Sequence, residues 1–290
     1  MSLLDRLADC ADFTPNAYRP FLVEGKSLGR IRREFAAALA DFPGVFTVTT
    51  EAVTLSDTLT TPETRTEAVA EVLETLKSQG LIPGWRGEPY PVSTGFYDPP
   101  LLTIERASSI LFGTMAYGVN LNAFVRRGDG IHMWIARRSA QKPVAPGKLD
   151  HAVAGGQPTG ISISENLIKE CWEEAGIPAD IASQAVPVGT ISYLTERAGG
   201  LRHSLFFNFD LELDDDFQPQ NTDGEVQEFF LWPMDDIINR IERTEDFKFD
   251  VPIGILDFAV RHGIIGPDSP DYIAINEALR MGRAGTLSAR

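Results

Sequence analysis

The stretch AGGQPTGISISENLIKECWEEAGIP, residues 154–178, begins beside two glycines and ends in a segment rich in glutamate. Ser162 followed three positions later by Glu165 is the pattern of a capping box, in which each side chain accepts a hydrogen bond from the backbone of the other. Gly176 is typical of the left-handed residue that ends a helix, and the proline two positions later blocks its continuation. The sequence therefore predicts a helix over residues 163–175, entered from a glycine-containing loop.

Three glutamates of this helix, Glu170, Glu173 and Glu174, are spaced i, i+3 and i+4, so we expect their carboxylates on one side of it. The apolar residues expected to face the core are Leu167, Ile168, Cys171 and Ala175. Like charges at this spacing repel, and a hard divalent cation would turn the repulsion into binding. Glutamate-rich faces are also common on solvated helices, so the spacing alone leaves a metal site and a solvated face both open.

The loop before the helix favours the metal site. A glycine-rich loop that leads into a helix lets backbone groups approach a phosphate closely. A glycine loop and a carboxylate cluster on consecutive segments together predict a site for a phosphate compound and a divalent cation.

The spacing of the whole stretch resembles the Nudix box, in which glycine, five residues, glutamate and seven residues precede Arg-Glu-apolar-x-Glu-Glu-x-Gly-apolar. Gly155 stands at the first position of this pattern and Gly176 at its last glycine, with the register unbroken. Two positions depart from it, because Ile161 replaces the first glutamate and Lys169 replaces the arginine. In the family these two residues commonly pair and hold the loop against the helix, so their joint replacement puts the rigidity of the loop in question.

Further segments resemble one branch of this family, in which the Nudix domain follows a distinctive N-terminal domain and some eukaryotic members are joined to thiamine pyrophosphokinase. These segments are WIARRSAQKPVAPGKLDHAVAGG at 134–156, GWRGEPY at 84–90, IERASSILFG at 104–113 and FAVRHGII at 258–265. The resemblance implies an α+β protein whose Nudix domain is an α/β/α sandwich with a mixed sheet. We expect a smaller α+β N-terminal domain over residues 1–119, and a Nudix domain followed by C-terminal helices over residues 120–290.

The resemblance also implies a Mg²⁺- or Mn²⁺-dependent hydrolase that cleaves a phosphoanhydride bond. Carried over position by position, the metal ligands would be the Gly155 carbonyl and the side chains of Glu170, Glu173 and Glu174. Hydrolysis further needs a carboxylate that positions or deprotonates a water molecule. The candidates for this catalytic role are Glu170, Glu173 and, from a later loop, Glu225.

Cationic side chains ahead of the glycine loop are candidates for binding the substrate phosphates, and they are Arg137, Arg138 and Lys142. If the two arginines lie on a strand, their side chains alternate and one of them faces away from the site. Aromatic residues of the N-terminal domain are candidates for stacking against a ring of the substrate. These are Trp85, Tyr90, Phe96 and Tyr97.

The branch implies thiamine diphosphate or its oxidised analogues as the substrate of this small-molecule hydrolase. One alternative is another diphosphate, such as a nucleotide sugar or a dinucleotide. A second is a non-catalytic Nudix module that binds or senses a ligand, although a binding module has no need for all three glutamates. A third is a Nudix-fold isomerase of isopentenyl diphosphate, but the sequence places no cysteine for its proton chemistry, since Cys171 falls on the core face.

Composition narrows the classes of partner. A formal net charge of −15 disfavours binding to a nucleic acid backbone. The uncharged run at 107–125 contains too many polar residues and glycines for a membrane span. Two distant cysteines form neither a disulfide framework nor a zinc motif, so we expect a reducing, cytoplasmic location. The sequence leaves open whether the chain forms a homodimer.

Local patterns predict several further elements. Thr60 or Thr61 is expected to cap a helix that begins at Pro62. A second helix is expected over 104–112, and the runs GVNLNAFVRR and IHMWIARRS around GDG predict a hairpin. Three helices are expected near the C-terminus, at 234–242, 253–262 and 271–281.

Overall fold

A computed structural model of the protein describes residues 2–197 and 199–281. The first part of the chain forms helix α1, followed by a sheet, a hairpin and the helices packed on them. In chain order these elements are α1 (Leu3–Ala8), β1 (Tyr18–Val23), β2 (Lys26–Arg32), α2 (Arg33–Leu39), β3 (Phe46–Val48), β4 (Val53–Leu55), α3 (Pro62–Ser78), β5 (Pro89–Val92), β6 (Leu102–Glu105) and α4 (Ser109–Phe112).

The N-terminal sheet has the strand order β2–β1–β4–β3, in which β1 and β4 run parallel and the other neighbours run antiparallel. Helix α3 begins as predicted, because the Thr61 side chain accepts a hydrogen bond from the Thr64 amide and Pro62 occupies the first turn. The apolar side of α3 lies in the core of this domain, and its buried residues are Val69, Val72, Leu73 and Leu76.

The helix predicted over residues 104–112 is wrong in its first half. Residues 102–105 are strand β6, residues 106–108 form a 3₁₀ turn, and only α4 is helical. Strand β6 pairs antiparallel with β5, with Tyr90 opposite Ile104. The partner strand lies some fourteen residues earlier in the chain, so pairing across the hairpin overrides the local helical pattern.

The second part of the chain builds a larger, mixed sheet with helices on both faces. Its elements are β7 (Met115–Arg127), β8 (Gly130–Arg138), β9 (Leu149–His151), β10 (Val153–Gly156), α5 (Ile163–Ala175), α6 (Ala179–Ala182), β11 (Val186–Arg197), β12 (Gly200–Glu212), β13 (Val226–Pro233), α7 (Met234–Arg243), α8 (Val251–Arg261) and α9 (Tyr272–Met281). The strand order is β11–β12–β7–β8–β13, with β10 paired to β7 and β9 paired to β8. Strands β12 and β7 run parallel, and the other pairs run antiparallel.

Strand β7 shows how the sheet separates two layers, because its side chains alternate between the faces. Val119 and Leu121 pack with Leu167 and Cys171 of α5 on one face. Phe124 packs on the other face, in the cluster that contains the buried residues of α7 and α8. The predicted α/β/α sandwich with a mixed sheet, an N-terminal α+β part and C-terminal helices is therefore confirmed.

The two parts of the chain are in direct contact. The Tyr18 hydroxyl of β1 donates to the Gly200 carbonyl of β12 at 3.2 Å. Helix α1 packs against α7, α8 and α9, so Leu7 and Cys10 belong to the core of the second part. Strand β7 begins at Met115, which places the proposed boundary between residues 119 and 120 inside a strand. None of the helices in the described ranges has the length and apolarity to cross a membrane.

Candidate functional site

Helix α5 has the ends that its sequence predicts. The Ser162 hydroxyl accepts from the Glu165 amide at 3.2 Å, and the Glu165 carboxylate accepts from the Ser162 amide at 2.8 Å. Gly176 adopts a left-handed conformation with φ of 63° and ends the helix. Both ends are set by neighbouring residues, so the register of the glutamates against the sheet is well defined.

Two of the three glutamates turn from α5 towards β10. Glu174 is buried, with 6% of its surface exposed, and its carboxylate accepts from the Ala154 amide at 2.7 Å. The Glu170 carboxyl group lies so close to Gly155 that a Cβ atom at this position would overlap it. Residue 155 must therefore be glycine for the Glu170 carboxylate to reach the strand.

Glu173 does not share this environment, although the spacing predicts one face for all three glutamates. Its side chain is 38% exposed and pairs with Lys169 at 2.6 Å, while Lys169 also reaches Glu170 at 3.2 Å. The difference follows from helix geometry, because residues four apart differ by about 40° around the axis and adjacent residues by about 100°. Glu170 and Glu174 therefore point in nearly the same direction, and Glu173 points to their side.

The pair formed by the buried Glu174 and the mostly buried Glu170 is electrostatically unfavourable when both carboxyl groups are ionised. Burial raises the pKa of Glu174 to about 8, and repulsion from Glu170 acts in the same direction, against the Ala154 hydrogen bond and Lys142. Burial also raises the pKa of Glu170, with Lys169 opposing the shift. Protons or a bound cation would both relieve this cost, because each reduces the charge held away from water.

The atoms of Glu170 and Glu174 that could bind a metal are carboxylate oxygens, which suit a hard cation such as Mg²⁺. Within residues 2–197 and 199–281, no three His, Cys, Asp or Glu side chains are gathered closely enough to enclose a metal ion. Mg²⁺ is commonly held by only one or two carboxylates, with water and substrate phosphates as its other ligands, so the pair still fits it. The Gly155 carbonyl oxygen lies beside Gly118 of β7, and its contact with a metal stays a prediction.

The glycine loop is held in place without the glutamate that Ile161 replaces. The side-chain amide of Gln157 donates to the Ile161 carbonyl at 2.8 Å, and that of Asn166 donates to the Gly156 carbonyl at 3.0 Å. Both amide side chains are buried, at 5% and 0% exposure. Sequence reasoning missed both residues, since Asn166 gives no signal apart from being polar close to the core face of the helix.

The two candidate arginines of β8 are engaged with neighbouring strands and with the loop that follows β8. Arg138 pairs with Asp150 at 2.7 Å. Arg137 donates to the Gly147 carbonyl at 3.1 Å and lies over the Phe230 ring, 5.3 Å from its centre. The side chains alternate as expected for a strand, and their binding to a substrate phosphate stays a prediction.

Lys142 lies between two carboxylates from different parts of the chain. Its ammonium forms an ion pair with Glu225, on the loop before β13, and its side chain is 16% exposed. Burial lowers the pKa of Lys142, while the nearby Glu174 carboxylate opposes this shift. The structure thus brings Lys142 and Glu225 to the Glu174 side of the site, but their catalytic and phosphate-binding roles are not tested by it.

The N-terminal part of the chain also reaches the glycine loop. A Cβ atom at Gly156 would overlap the Tyr90 hydroxyl and come within 3.3 Å of Arg106 Nη2. Nearby, Phe96 packs against Tyr117 of β7, with ring centres 4.9 Å apart. Tyr97 is 88% exposed beside it. Sequence reasoning named the aromatic residues and missed Arg106, which lies in a segment predicted to be helix.

Comparisons with known proteins agree with this architecture. The NUDIX domain family matches residues 116–251, and a domain of unknown function (DUF4743) matches residues 2–116. Nudix hydrolase 24, chloroplastic, of Arabidopsis thaliana is 43% identical over 265 residues, covering 91% of this chain and 73% of the relative. Nudix hydrolase 20, chloroplastic, of the same plant is 42% identical over 270 residues, covering 90% and 72%.

A more distant relative is an uncharacterized protein of Saccharomyces cerevisiae, which is 30% identical over 209 residues and covers 67% of this chain and 60% of its own length. The two plant relatives match both parts of the chain, at an identity well above the level at which chance similarity arises. The NUDIX domain match, over residues 116–251, includes helix α5 and the strand and loop that precede it. The chain therefore belongs to the Nudix hydrolase family.

Proposed function

We propose that the protein is a metal-dependent pyrophosphohydrolase that cleaves a phosphoanhydride bond in a small diphosphate compound. The observation that carries this proposal is the pair formed by Glu174, which is buried, and Glu170, whose side chain is 14% exposed and lies against Gly155. Carboxylates held together away from water cost the protein stability unless a proton or a cation balances their charge. Their placement is consistent with selection for binding a divalent cation, Mg²⁺ or Mn²⁺.

In the proposed site, the side chains of Glu170 and Glu174 hold the cation, with Glu173 as a further ligand directly or through water. When bound, the cation would neutralise charge on the phosphate oxygens and make a water molecule more nucleophilic. The glycine loop, held by Gln157 and Asn166, keeps the strand and the helix at the spacing that the two carboxylates require.

Hydrolysis also needs a carboxylate that takes a proton from the attacking water. Glu225 is a candidate because its ion pair with Lys142 places it on the Glu174 side of the site. Glu170 and Glu173 are the other candidates. The proton leaves the water as its oxygen bonds to phosphorus, and the leaving phosphate takes the electrons of the broken anhydride bond.

Thiamine diphosphate and its oxidised analogues are the first substrates to test, because they are implied by the branch that the sequence resembles. The exposed Tyr97 ring beside Phe96 and Tyr117 supports a substrate that carries an aromatic ring. Nucleotide sugars and dinucleotides also carry rings and remain the alternative substrates. A non-catalytic ligand-binding module is the remaining alternative.

A screen of diphosphate compounds with Mg²⁺ or Mn²⁺ tests the proposal, with released phosphate or monophosphate as the readout. We expect turnover by the wild-type protein and its loss in Glu174→Gln, which keeps the shape of the side chain and removes its charge. The exposed residue Glu71 on α3 provides a matched control, and Glu71→Gln should keep full turnover. Undiminished turnover in Glu174→Gln would refute the site assignment.

The same screen separates the enzyme from the binding module. Mg²⁺ binding by calorimetry without turnover of any diphosphate, thiamine diphosphates included, would favour the module. A homodimeric assembly and a cytoplasmic location are further parts of the proposal, and sedimentation and localisation of the tagged full chain test them.

A further inference from the structure

Gly155 and Gly156 lie in strand β10 and not in the loop that the sequence predicts for them, and Gly156 has a different requirement from Gly155. Its backbone is not in the left-handed region, so its conformation alone does not demand glycine. The demand comes from the N-terminal part of the chain, because a Cβ atom here would overlap the Tyr90 hydroxyl and crowd Arg106 Nη2. The absence of a side chain at residue 156 lets these two groups reach the strand that carries the site.

Arg106 is held rigidly by the β5–β6 hairpin. Its amide donates to the Glu88 carbonyl at 2.9 Å, and its Nη1 donates to the Glu88 carboxylate at 2.7 Å. Its guanidinium lies 5.4 Å from the centre of the Tyr90 ring, in the range of a cation–π contact. Tyr90 itself is 6% exposed. One edge of the guanidinium is therefore anchored in the N-terminal part, and Nη2 is presented to Gly156.

Arg106 lies at the edge of the carboxylate pair and still has contact with solvent. Its Nη2 lies by Gly156 and the Glu170 carboxyl lies by the adjacent Gly155, so the guanidinium is within electrostatic range of the proposed cation site, and its charge weakly opposes the rise that burial causes in the pKa of Glu170. Its side chain is 36% exposed, so a ligand can reach it. The other cations near the site are engaged at their charged ends, Lys169 with Glu173, and Lys142 with Glu225.

The negative charge of the site favours a further cationic side chain when a diphosphate binds. A diphosphate brings several negative charges to a site that already contains Glu170 and Glu174, and one divalent cation balances only part of the total. Arginine suits this task because its planar donors match phosphate oxygens, and anchoring by Glu88 and Tyr90 reduces the entropy lost on binding.

We propose that Arg106, oriented by Glu88 and Tyr90, is a substrate-binding residue that donates to the phosphate oxygens of the diphosphate. The inference rests on the proposed function, and it assigns to the N-terminal part a direct role in substrate recognition. The second half of the chain alone would lack this contact.

Titration calorimetry of the full chain with methylene diphosphonate in the presence of Mg²⁺ tests this contact without relying on turnover. A charge-assisted hydrogen bond contributes about 1.5–3 kcal/mol, so Arg106→Met should weaken binding of the diphosphonate about 10- to 100-fold. Arg106→Lys keeps the charge and loses the planar donors, and we expect an intermediate loss. Arg33, exposed on α2, gives a matched control with the same charge change, and Arg33→Met should bind like the wild type.

The outcomes separate this inference from the proposed function. Failure of the wild-type protein to bind the diphosphonate with Mg²⁺ would overturn both. Binding by the wild type with an unchanged Kd in Arg106→Met would overturn the substrate contact and leave the proposed function in place. If Arg106→Met does not fold in a thermal melt, Arg106→Lys decides, and a Kd equal to that of the wild type would again overturn the contact.

Discussion

Replacement of Glu174 by glutamine is expected to stabilise the metal-free protein while removing its response to Mg²⁺. The glutamine keeps the volume of the side chain, and its Oε1 can still accept the hydrogen bond from the Ala154 amide. It removes only the ability to ionise in a buried site beside Glu170. A gain in stability would therefore measure what the buried carboxylate costs the protein when no cation is bound.

The size and pH dependence of this gain follow from the pKa of Glu174, which is about 8 in the folded protein against an ordinary value of 4.5. Between these two pH values the folded state binds more protons than the unfolded state, so the stability of the wild type falls as pH rises from 4.5 to 8. At pH 7, which is about 2.5 pH units above the ordinary pKa, the buried carboxylate lowers the free energy of unfolding by about 3 kcal/mol. Glu174→Gln has no ionisable group here, so the difference in free energy of unfolding between this variant and the wild type should vanish near pH 4.5.

Urea unfolding in the presence of a chelator, at several pH values between 4.5 and 8, measures the difference. Saturating Mg²⁺ at 100 times its Kd should stabilise the wild type by about 2.7 kcal/mol and have no such effect on Glu174→Gln. The control Glu71→Gln, at an exposed helix position, should follow the wild type throughout. Equal stability of Glu174→Gln and the wild type at pH 8 without metal would refute the reasoning, as would an equal response of both to Mg²⁺.

Two other substitutions test the loop. Asn166→Ala removes the donor to the Gly156 carbonyl at a fully buried position and should lower the free energy of unfolding by about 1–3 kcal/mol. The loop amides should also exchange their hydrogens faster, and unchanged exchange would show that Asn166 does not hold the loop. Gly155→Ala adds a Cβ atom where the Glu170 carboxyl lies and should weaken Mg²⁺ binding about tenfold or more in calorimetry. Gly44→Ala, in open space, serves as its control, and equal Mg²⁺ affinity in the two variants would contradict the role of Gly155.

The features predicted well from the sequence are those that neighbouring residues determine. Ser162 and Glu165 begin helix α5, and Gly176 ends it, through contacts within a few positions of the chain. The sequence predicts one site for Gly155, Glu170 and Glu174; the Glu170 carboxyl lies against Gly155, the Glu174 carboxylate accepts from the neighbouring Ala154 amide, and their role in a site stays a prediction. The α/β/α sandwich is implied by the resemblance to the Nudix family, and that resemblance rests on the spacing of the Nudix box.

The features missed from the sequence depend on segments far apart in the chain. The burial of Glu174 depends on where β10 lies, and β10 is positioned by pairing with β7 more than thirty residues earlier. Arg106 reaches Gly156 from the other part of the chain, across fifty positions. Local patterns also favoured a helix at 104–112, because the partner strand β5 is invisible to a window of that length.

The position of helix α1 has a consequence for how the chain is made. Leu7 lies in the same core as Ile275, so helix α1 makes contacts with helix α9, which is synthesised much later. That core cannot close until α9 has left the ribosome, even though the N-terminal sheet is synthesised much earlier. Folding of the second part must therefore wait for α9, and until then α1 leaves an apolar surface exposed, where chaperones would act.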